Sequence, residues 1–165
     1  MPQCQERPDG GNPPRFAYFC PFKGARVTRA RTLLVGGNDD FLDGVVDWMA
    51  EDASFQVVGR AHSGAHALDQ LEALRVDLVL MDVSLSDMSG FEITRRMKAR
   101  TDAPLVVLLS FYDTQAIRLE AWAAGADCFV PQPETTTRLK PLVGDLLRRR
   151  PVPLTRPVRS EDVVE

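Results

Sequence analysis

The chain has 165 residues, 44% of them hydrophobic, which suits one folded domain with short flanking segments. It contains no apolar run of about 18 residues, so we expect no membrane-spanning helix. Its polar, proline-rich start does not resemble a secretory signal. The formal net charge of −3 is uneven, because residues 32–147 carry nine Lys/Arg against eighteen acids while both ends are basic. An acidic body does not favour nucleic acid, so we expect none as a partner.

Cysteine usage points to a reducing compartment. Cys4, Cys20 and Cys128 are odd in number and lack the C-x-x-C spacing. We therefore expect a cytoplasmic, reduced protein, in which Cys128 is a small buried residue of a strand.

Three segments follow one another along the chain. Residues 1–30 are rich in proline and glycine, which predicts a flexible extension. An aromatic cluster at residues 16–22 either packs on the domain surface or docks a partner. Residues 31–149 form the predicted domain, and residues 150–165 form a short tail.

Within the domain, apolar runs of strand length alternate with helical patterns five times. This alternation predicts a doubly wound α/β fold with a parallel sheet and right-handed crossovers. Asn38 or Asp39 should cap the first helix, Ser63 should cap the second, and Gly125 should end the fourth in a left-handed conformation. Pro141 predicts a displaced or kinked start of the last helix. The predicted strands are 31–36, 55–60, 77–82, 104–110 and 127–131, and the predicted helices are 39–52, 64–75, 89–100, 113–124 and 136–149.

Candidate site residues lie where the predicted strands end. Gly36 and Gly37 follow the first strand, Asp82 ends the third, Ser110 ends the fourth and Gln132 follows the fifth. Open parallel sheets place their chemistry at the carboxyl ends of the strands, so we expect these residues to share one edge.

Residues 34–45, 79–90 and 124–133, in this order and spacing, resemble the receiver domain of bacterial two-component response regulators. The resemblance covers about residues 31–149. It implies a flavodoxin-like (βα)5 fold with strand order 2-1-3-4-5. It also implies phosphorelay signal transduction without enzymatic turnover. The first helix is most similar to receivers of helix-turn-helix transcription regulators.

The resemblance assigns roles to four of the strand-end residues. Asp82 falls on the phosphorylated aspartate, and Ser110 on the hydroxyl residue that contacts the phosphoryl group and switches conformation. Phe129 falls on the switch aromatic, although a core position is an equal alternative. Gln132 replaces the usual phosphoryl-binding lysine, and its bond to Pro133 corresponds to a peptide that is often cis in the family.

The implied metal site is depleted. Gly36 and Gly37 occupy positions that normally hold two metal-binding acids. Asp82 and the Ser84 carbonyl remain as ligands, which is few for Mg²⁺, an ion that gives up its water reluctantly. One lost charge contact near 4 Å costs roughly 4 kcal/mol at an effective dielectric of 20 before water compensates, so we expect Mg²⁺ affinity to fall by more than tenfold. Asp39 is one candidate replacement ligand, and its alternative role is to stabilise the N-terminus of the first helix.

These substitutions indicate a degenerate receiver whose phosphorylation at Asp82 is handicapped. One alternative is a phosphate-independent pseudo-receiver that acts only as an interaction module. A second is a phosphotransfer enzyme of dehalogenase type, which needs an acid where Ser84 stands. A nucleotide or flavin site at Gly36 and Gly37 would need the fuller G-x-G-x-x-G spacing, which is missing.

The expected partner is a sensor kinase or another signalling protein. Residues 150–165 are too short for a DNA-binding domain, so we expect a stand-alone receiver that acts through protein contacts. A homodimer through the fourth helix, fifth strand and fifth helix is a further expectation. His62 and His66 are four residues apart, but no third ligand is near them, so we expect no metal there.

Overall fold

The computed structural model describes residues 29–149; the expectations for residues 1–28 and 150–165 lie outside this range. Strands and helices alternate as predicted, with boundaries shifted by at most two residues. The elements are β1 (Ala30–Val35), α1 (Asp39–Ala50), β2 (Phe55–Ala61), α2 (Gly64–Ala73), β3 (Leu78–Asp82), α3 (Gly90–Lys98), β4 (Leu105–Ser110), α4 (Gln115–Ala124), β5 (Cys128–Pro131) and α5 (Thr135–Arg149), with a 3-10 turn at Gln132–Glu134 before α5.

The five strands form one parallel sheet in the order β2-β1-β3-β4-β5, which confirms the predicted fold. In the sheet β1 lies between β2 and β3, and the connecting helices α1 and α2 lie on opposite faces. A crevice therefore opens at the carboxyl ends of β1 and β3. One irregularity interrupts the sheet. Thr32 pairs with Val57 whereas Leu33 pairs with Gly59, so Val58 is an extra residue that makes a β-bulge in β2.

Helices cover both faces of the sheet. Helices α1 and α5 pack on one face and α2, α3 and α4 on the other, so the strands are buried from both sides. This is why β3 and β4 read as continuous apolar runs. The largest fully buried side chains include Leu33, Leu34, Leu42, Leu78, Leu80, Met81, Ile93, Met97, Leu108, Leu109 and Leu139.

The predicted helix caps are confirmed. Asn38 Oδ1 accepts hydrogen bonds from the backbone N–H groups of Asp40 at 2.9 Å and Phe41 at 3.4 Å. Ser63 caps α2 in the same way, and Gly125 ends α4 with a φ of 89°. The predicted start of α4 at 113 moves to Gln115, because the preceding threonine is the N-cap.

Helix α5 begins at Thr135, directly after the 3-10 turn, and runs through Pro141 without a break, so Pro141 does not displace its start. A proline inside a helix costs about 3 kcal/mol. Leu139, Leu142 and Val143 are buried beside it, at about 1.5–3 kcal/mol for each side chain. Burial therefore outweighs the proline. No helix in the described part of the chain is long and apolar enough to span a membrane.

Candidate functional site

The strand register brings the predicted site residues to one edge of the sheet. Val35 pairs with Met81 in the neighbouring strand, Asp82 pairs with Leu109, and Ser110 is next in β4. The carboxyl ends of β1, β3, β4 and β5 therefore lie side by side. This edge carries Gly36, Gly37, Asp82, Ser110 and Gln132.

Asp82 is half-buried, and each of its carboxylate oxygens has a partner. Oδ1 accepts a hydrogen bond from the Ser84 backbone N–H at 2.9 Å. Oδ2 accepts one from the Gln132 side-chain amide, Nε2, at 3.1 Å. Hydrogen bonds to a charged acceptor are stronger than neutral ones, so both stabilise the ionised carboxylate. The side chain is held between its own loop and the turn that follows β5.

Ser110 is 3% exposed, and its hydroxyl oxygen accepts a hydrogen bond from the Tyr112 backbone N–H at 3.1 Å. The hydroxyl thus also stabilises the β4–α4 loop, as a strand-end serine often does. It lies one position beyond the residue that pairs with Asp82, in the register expected of a group that meets a ligand on that carboxylate.

Phe129 is 6% exposed and packs in the hydrophobic cluster beneath α2, α3 and α4. A rotation outward would therefore open this cluster. The predicted switch role stays a prediction. The predicted cis bond between Gln132 and Pro133 is wrong, since the peptide bonds of the described residues are trans.

The two glycines leave unequal space. A Cβ atom on Gly37 would meet no atom within 4 Å, whereas one on Gly36 would lie 3.1 Å from Leu42 Cδ2. Neither glycine has a positive φ. The backbone therefore does not require glycine at either position, and what these residues change is the chemistry of the edge.

Asp39 contacts His62, the residue that follows β2. Its side chain is 80% exposed, and Oδ1 lies 3.5 Å from Nδ1 of His62. Among the described residues, no three His, Cys, Asp or Glu side chains group in a way that could hold a metal. His66, the other histidine, contacts Gln70 at 2.8 Å. The proposed ligand role of Asp39 would need a different side-chain orientation.

A carboxylate that the sequence reading missed anchors the loop after Asp82. Asp87 accepts hydrogen bonds from the backbone N–H groups of Gly64 at 2.8 Å and Ala65 at 2.9 Å, at the start of α2. These bonds lower the pKa of Asp87 below its ordinary value. Asp87 is 23 residues from Gly64, so only the folded structure makes it a helix cap.

The other end of this loop needs a glycine. A Cβ atom on Gly90 would lie 2.8 Å from the backbone oxygen of Asp82 and 2.9 Å from Val83 Cα. The Gly90 N–H also donates to the Val83 carbonyl at 2.8 Å. Close backbone approach here fixes α3 directly against the end of β3.

Cys128 is not a candidate for chemistry. Its side chain is 2% exposed, and burial raises the pKa of the thiol to about 12. A thiol with so high a pKa is not a nucleophile at neutral pH, so the expectation of a small buried residue is confirmed.

The surface beside Ser110 exposes large apolar side chains. Phe111 is 73% exposed and Tyr112 is 70% exposed in the β4–α4 loop, and Leu119 and Trp122 are 53% and 42% exposed on α4. We call these four residues the α4 patch. Exposed apolar residues grouped in this way mark interaction surfaces more often than isolated ones do.

Comparison with known proteins assigns this architecture to one family. The family model of the response regulator receiver domain matches residues 33–143. The chain is 30% identical over 105 residues to a protein-glutamate methylesterase/protein-glutamine glutaminase of Alkalilimnicola ehrlichii, which covers 63% of this chain and 27% of the relative. It is 31% identical over 116 residues to protein-glutamate methylesterase/protein-glutamine glutaminase 2 of Koribacter versatilis. That match covers 69% of this chain and 32% of the relative. The chain thus spans about a quarter to a third of these relatives.

Solved structures agree on the fold. The signal receiver domain of the response regulator NarL from Mycobacterium tuberculosis has a TM-score of 0.69 and 29% identity, covering 74% of this chain and 98% of that one. A CheY-like receiver domain protein from Methanospirillum hungatei has a TM-score of 0.65 and 20% identity, covering 73% and 95%. At that identity the second comparison supports the fold alone.

Proposed function

Because this chain belongs to the response regulator receiver family, we propose that it is a degenerate receiver whose signalling conformation is set by protein contacts. The observation that carries the proposal is the 3.1 Å hydrogen bond from Gln132 Nε2 to Asp82 Oδ2. Together with the Ser84 N–H on Oδ1, it satisfies both oxygens of the carboxylate. Phosphorylation of Asp82 is handicapped, because the site has neither acids at positions 36 and 37 to hold Mg²⁺ nor a lysine at position 132 to neutralise an incoming phosphoryl group.

The residues present do not fit a tightly held divalent cation. Gly36 and Gly37 have no side chains to offer oxygens, and Asp39 is paired with His62 at 3.5 Å. The Asp82 carboxylate and the Ser84 carbonyl are the oxygens that the site retains, and Asp82 is already in hydrogen bonds. Mg²⁺ requires near-octahedral oxygen coordination and releases water reluctantly, so weak binding at most is expected.

The charge of the site supports the same conclusion. A phosphorylated aspartate gains negative charge, which a lysine would neutralise and the neutral amide of Gln132 cannot. The hydrogen bond from Gln132 suits the unmodified carboxylate instead. Without acids at positions 36 and 37 and without a lysine at position 132, the charges of the site need neither a metal ion nor a phosphoryl group to balance them.

Signalling then depends on contacts with other proteins. We propose a sensor kinase or another signalling protein as partner, in the cytoplasm, with the receiver unit at residues 31–149. The α4 patch is the surface that supports such a contact, and a homodimer through α4, β5 and α5 would cover it. The enzyme named in the curated relatives spans more than this chain, so we propose no enzymatic activity.

The decisive experiment compares the wild-type chain with a variant that rebuilds the family site, Gly36→Asp, Gly37→Asp and Gln132→Lys. Both are incubated with acetyl phosphate, with and without Mg²⁺, and read by intact mass. Leu42 must move by a few tenths of an ångström to admit the first aspartate. We expect a Mg²⁺-dependent phosphoryl group on the rebuilt variant and none on the wild type.

Asp82→Ala in each background is the control, and it should remove any gain in mass. The rebuilt variant also demonstrates that the donor can modify this fold. A Mg²⁺-dependent gain on the wild-type chain, lost in Asp82→Ala, would overturn the proposal.

A further inference from the structure

A groove of about 320 Å³ lies between α1 and the start of α5, next to the candidate site. Phe41, Val45 and Trp48 line it from α1, and Gln132 and Thr135 line it from the turn after β5. Small-molecule sites in proteins begin at about this volume. The groove is therefore large enough for a compound of one or two fused rings.

Its walls favour an aromatic ligand. The exposed lining is mainly apolar, and Phe41 and Trp48 supply two ring systems on one helix face. Aromatic side chains bind flat rings by stacking and edge contacts in addition to apolar burial. Lys140 Nζ lies 4.7 Å from the centre of the Trp48 ring, which orders that ring.

A polar group without a partner is part of the groove. Thr135 is 6% exposed, and its hydroxyl has no hydrogen-bond partner among the described residues. Buried hydroxyl groups are almost always satisfied, so this one indicates a missing partner. The hydroxyl oxygen itself is buried, so the Thr135 side chain has to rotate toward the groove before a ligand with one hydrogen-bonding group can supply that partner.

The charge around the groove selects among aromatic compounds. Asp40 lines it and is exposed, and Asp47 adds a second exposed carboxylate on α1, whereas Asp43 is paired with Arg60 at 2.5 Å. Lys140 is the nearby cation, and it also lies 3.8 Å from Glu51. A negative rim repels anions, so neutral or cationic ligands are favoured.

Gln132 connects this groove to Asp82. The same side chain lines the groove and donates its amide hydrogen to Asp82 Oδ2 at 3.1 Å. We propose that the groove binds a small neutral or cationic aromatic compound, and that its occupancy controls the hydrogen bond between Gln132 and Asp82. This inference rests on the proposed function, because it adds a small-molecule signal to a receiver that acts through protein contacts.

The binding test is a titration of the full chain with indole, tryptamine and indoleacetate, followed by NMR. The indole N–H of Trp48 reports on the groove, and that of Trp122, on α4, is an internal control. We expect saturable shifts of Trp48 with indole and tryptamine. Tryptamine should bind roughly fivefold more tightly than indoleacetate, and Asp40→Asn should reduce this difference.

A matched pair of glycine substitutions tests the location. Gly44 lines the groove, and a Cβ atom there would meet nothing within 4 Å, so Gly44→Leu fills the groove without strain. Gly144→Leu makes the same change on α5, where the nearest atom is Arg148 Nη2 at 3.6 Å. The Trp48 response should vanish in the first variant and persist in the second.

The coupling test uses the Ser84 backbone amide, which donates to Asp82 Oδ1. In the wild type this amide should shift together with Trp48. Because Gln132 also lines the groove, Gln132→Leu is titrated until the Trp48 shift saturates, and at that saturation the Ser84 response should be absent. A Ser84 response that survives in Gln132→Leu would disprove the coupling.

Two other outcomes would overturn the binding proposal. These are the absence of a Trp48 shift with indole and tryptamine at millimolar concentration, and an equal response in Gly44→Leu. In either case the groove would be a surface that a protein covers. No phosphodonor is used, so a wild-type chain that accepts a phosphoryl group would refute the proposed function without changing this titration.

Discussion

A single amide contacts Asp82 where the family normally has a lysine. A lysine at position 132 would carry a positive charge that attracts a phosphoryl group as well as the carboxylate, whereas the amide of Gln132 is neutral and donates one of its N–H groups to Asp82 at 3.1 Å. A hydrogen bond to a charged acceptor contributes about 1.5–3 kcal/mol. Under the proposed function, this bond favours the unmodified carboxylate.

Asp87 gives a residue-scale prediction about pH. Its folded pKa is lowered, so its contribution to stability is present above the ordinary pKa of 3.8 and is lost as the pH falls through the folded value. Asp87→Asn should therefore lower the urea midpoint slightly near neutral pH, and the difference from wild type should shrink in acid. Urea unfolding at both pH values measures it.

Asp69→Asn is the matched control, because Asp69 is exposed on α2 but does not cap it. A loss of stability in Asp87→Asn that is unchanged in acid would contradict the role assigned to its charge.

The part of the site that lies at the carboxyl ends of the strands could be predicted from the sequence. Asp82 and Gln132 are 50 residues apart, and the rule that strand ends meet at one edge brought them together. Asp87 could not be predicted in this way, because its partners are two backbone N–H groups of a different helix. The position of Asp39 also depends on a neighbour in space, His62, which no spacing along the chain indicates.

At the scale of elements, helix propensity and tertiary packing favour different outcomes in α5. Pro141 predicts a disturbed helix, yet α5 continues because its apolar face is buried on the sheet. The helix caps were predictable from Asn38, Ser63 and Gly125 because capping is a local interaction. Where α1 ends was less predictable, since nothing in the sequence marks Ala50 as its last residue.

The proline in α5 should carry a measurable cost. Pro141→Ala restores a backbone N–H inside the helix, so we expect the free energy of unfolding to rise by about 1–3 kcal/mol. Urea denaturation measures the change. Gly144→Ala in the same helix is the control and should add about 0.5–1 kcal/mol. No gain from Pro141→Ala would contradict the assigned cost of the proline.

At the scale of the whole molecule, the two sides of the sheet differ in character. The side with α1 is acidic and carries the groove, whereas the side with α4 exposes the α4 patch. Receivers that act through protein contacts need at least one such surface. The α4 patch is next to Ser110, so a partner bound there would lie close to the candidate site.

The proposed homodimer predicts the effect of charge on this patch. Phe111→Glu and Leu119→Glu place carboxylates in an apolar contact, so each should convert a dimer to monomers. Sedimentation velocity measures the state. Ala50→Glu adds the same charge at an exposed site on α1, across the sheet, and should leave the dimer intact. A wild-type chain that is monomeric at micromolar concentration would contradict the homodimer.

The bulge in β2 and the short β5 have a consequence for how partners can be recognised. Both outermost strands are protected against pairing with another chain. In β2 the extra residue Val58 breaks the regular row of backbone groups, and Arg60 adds charge. The other outermost strand has four residues and ends at Pro131, which has no N–H to donate. Strand addition is disfavoured at both edges of the sheet, so we expect partners to bind through side chains on helices and loops, where recognition can change while the sheet stays the same.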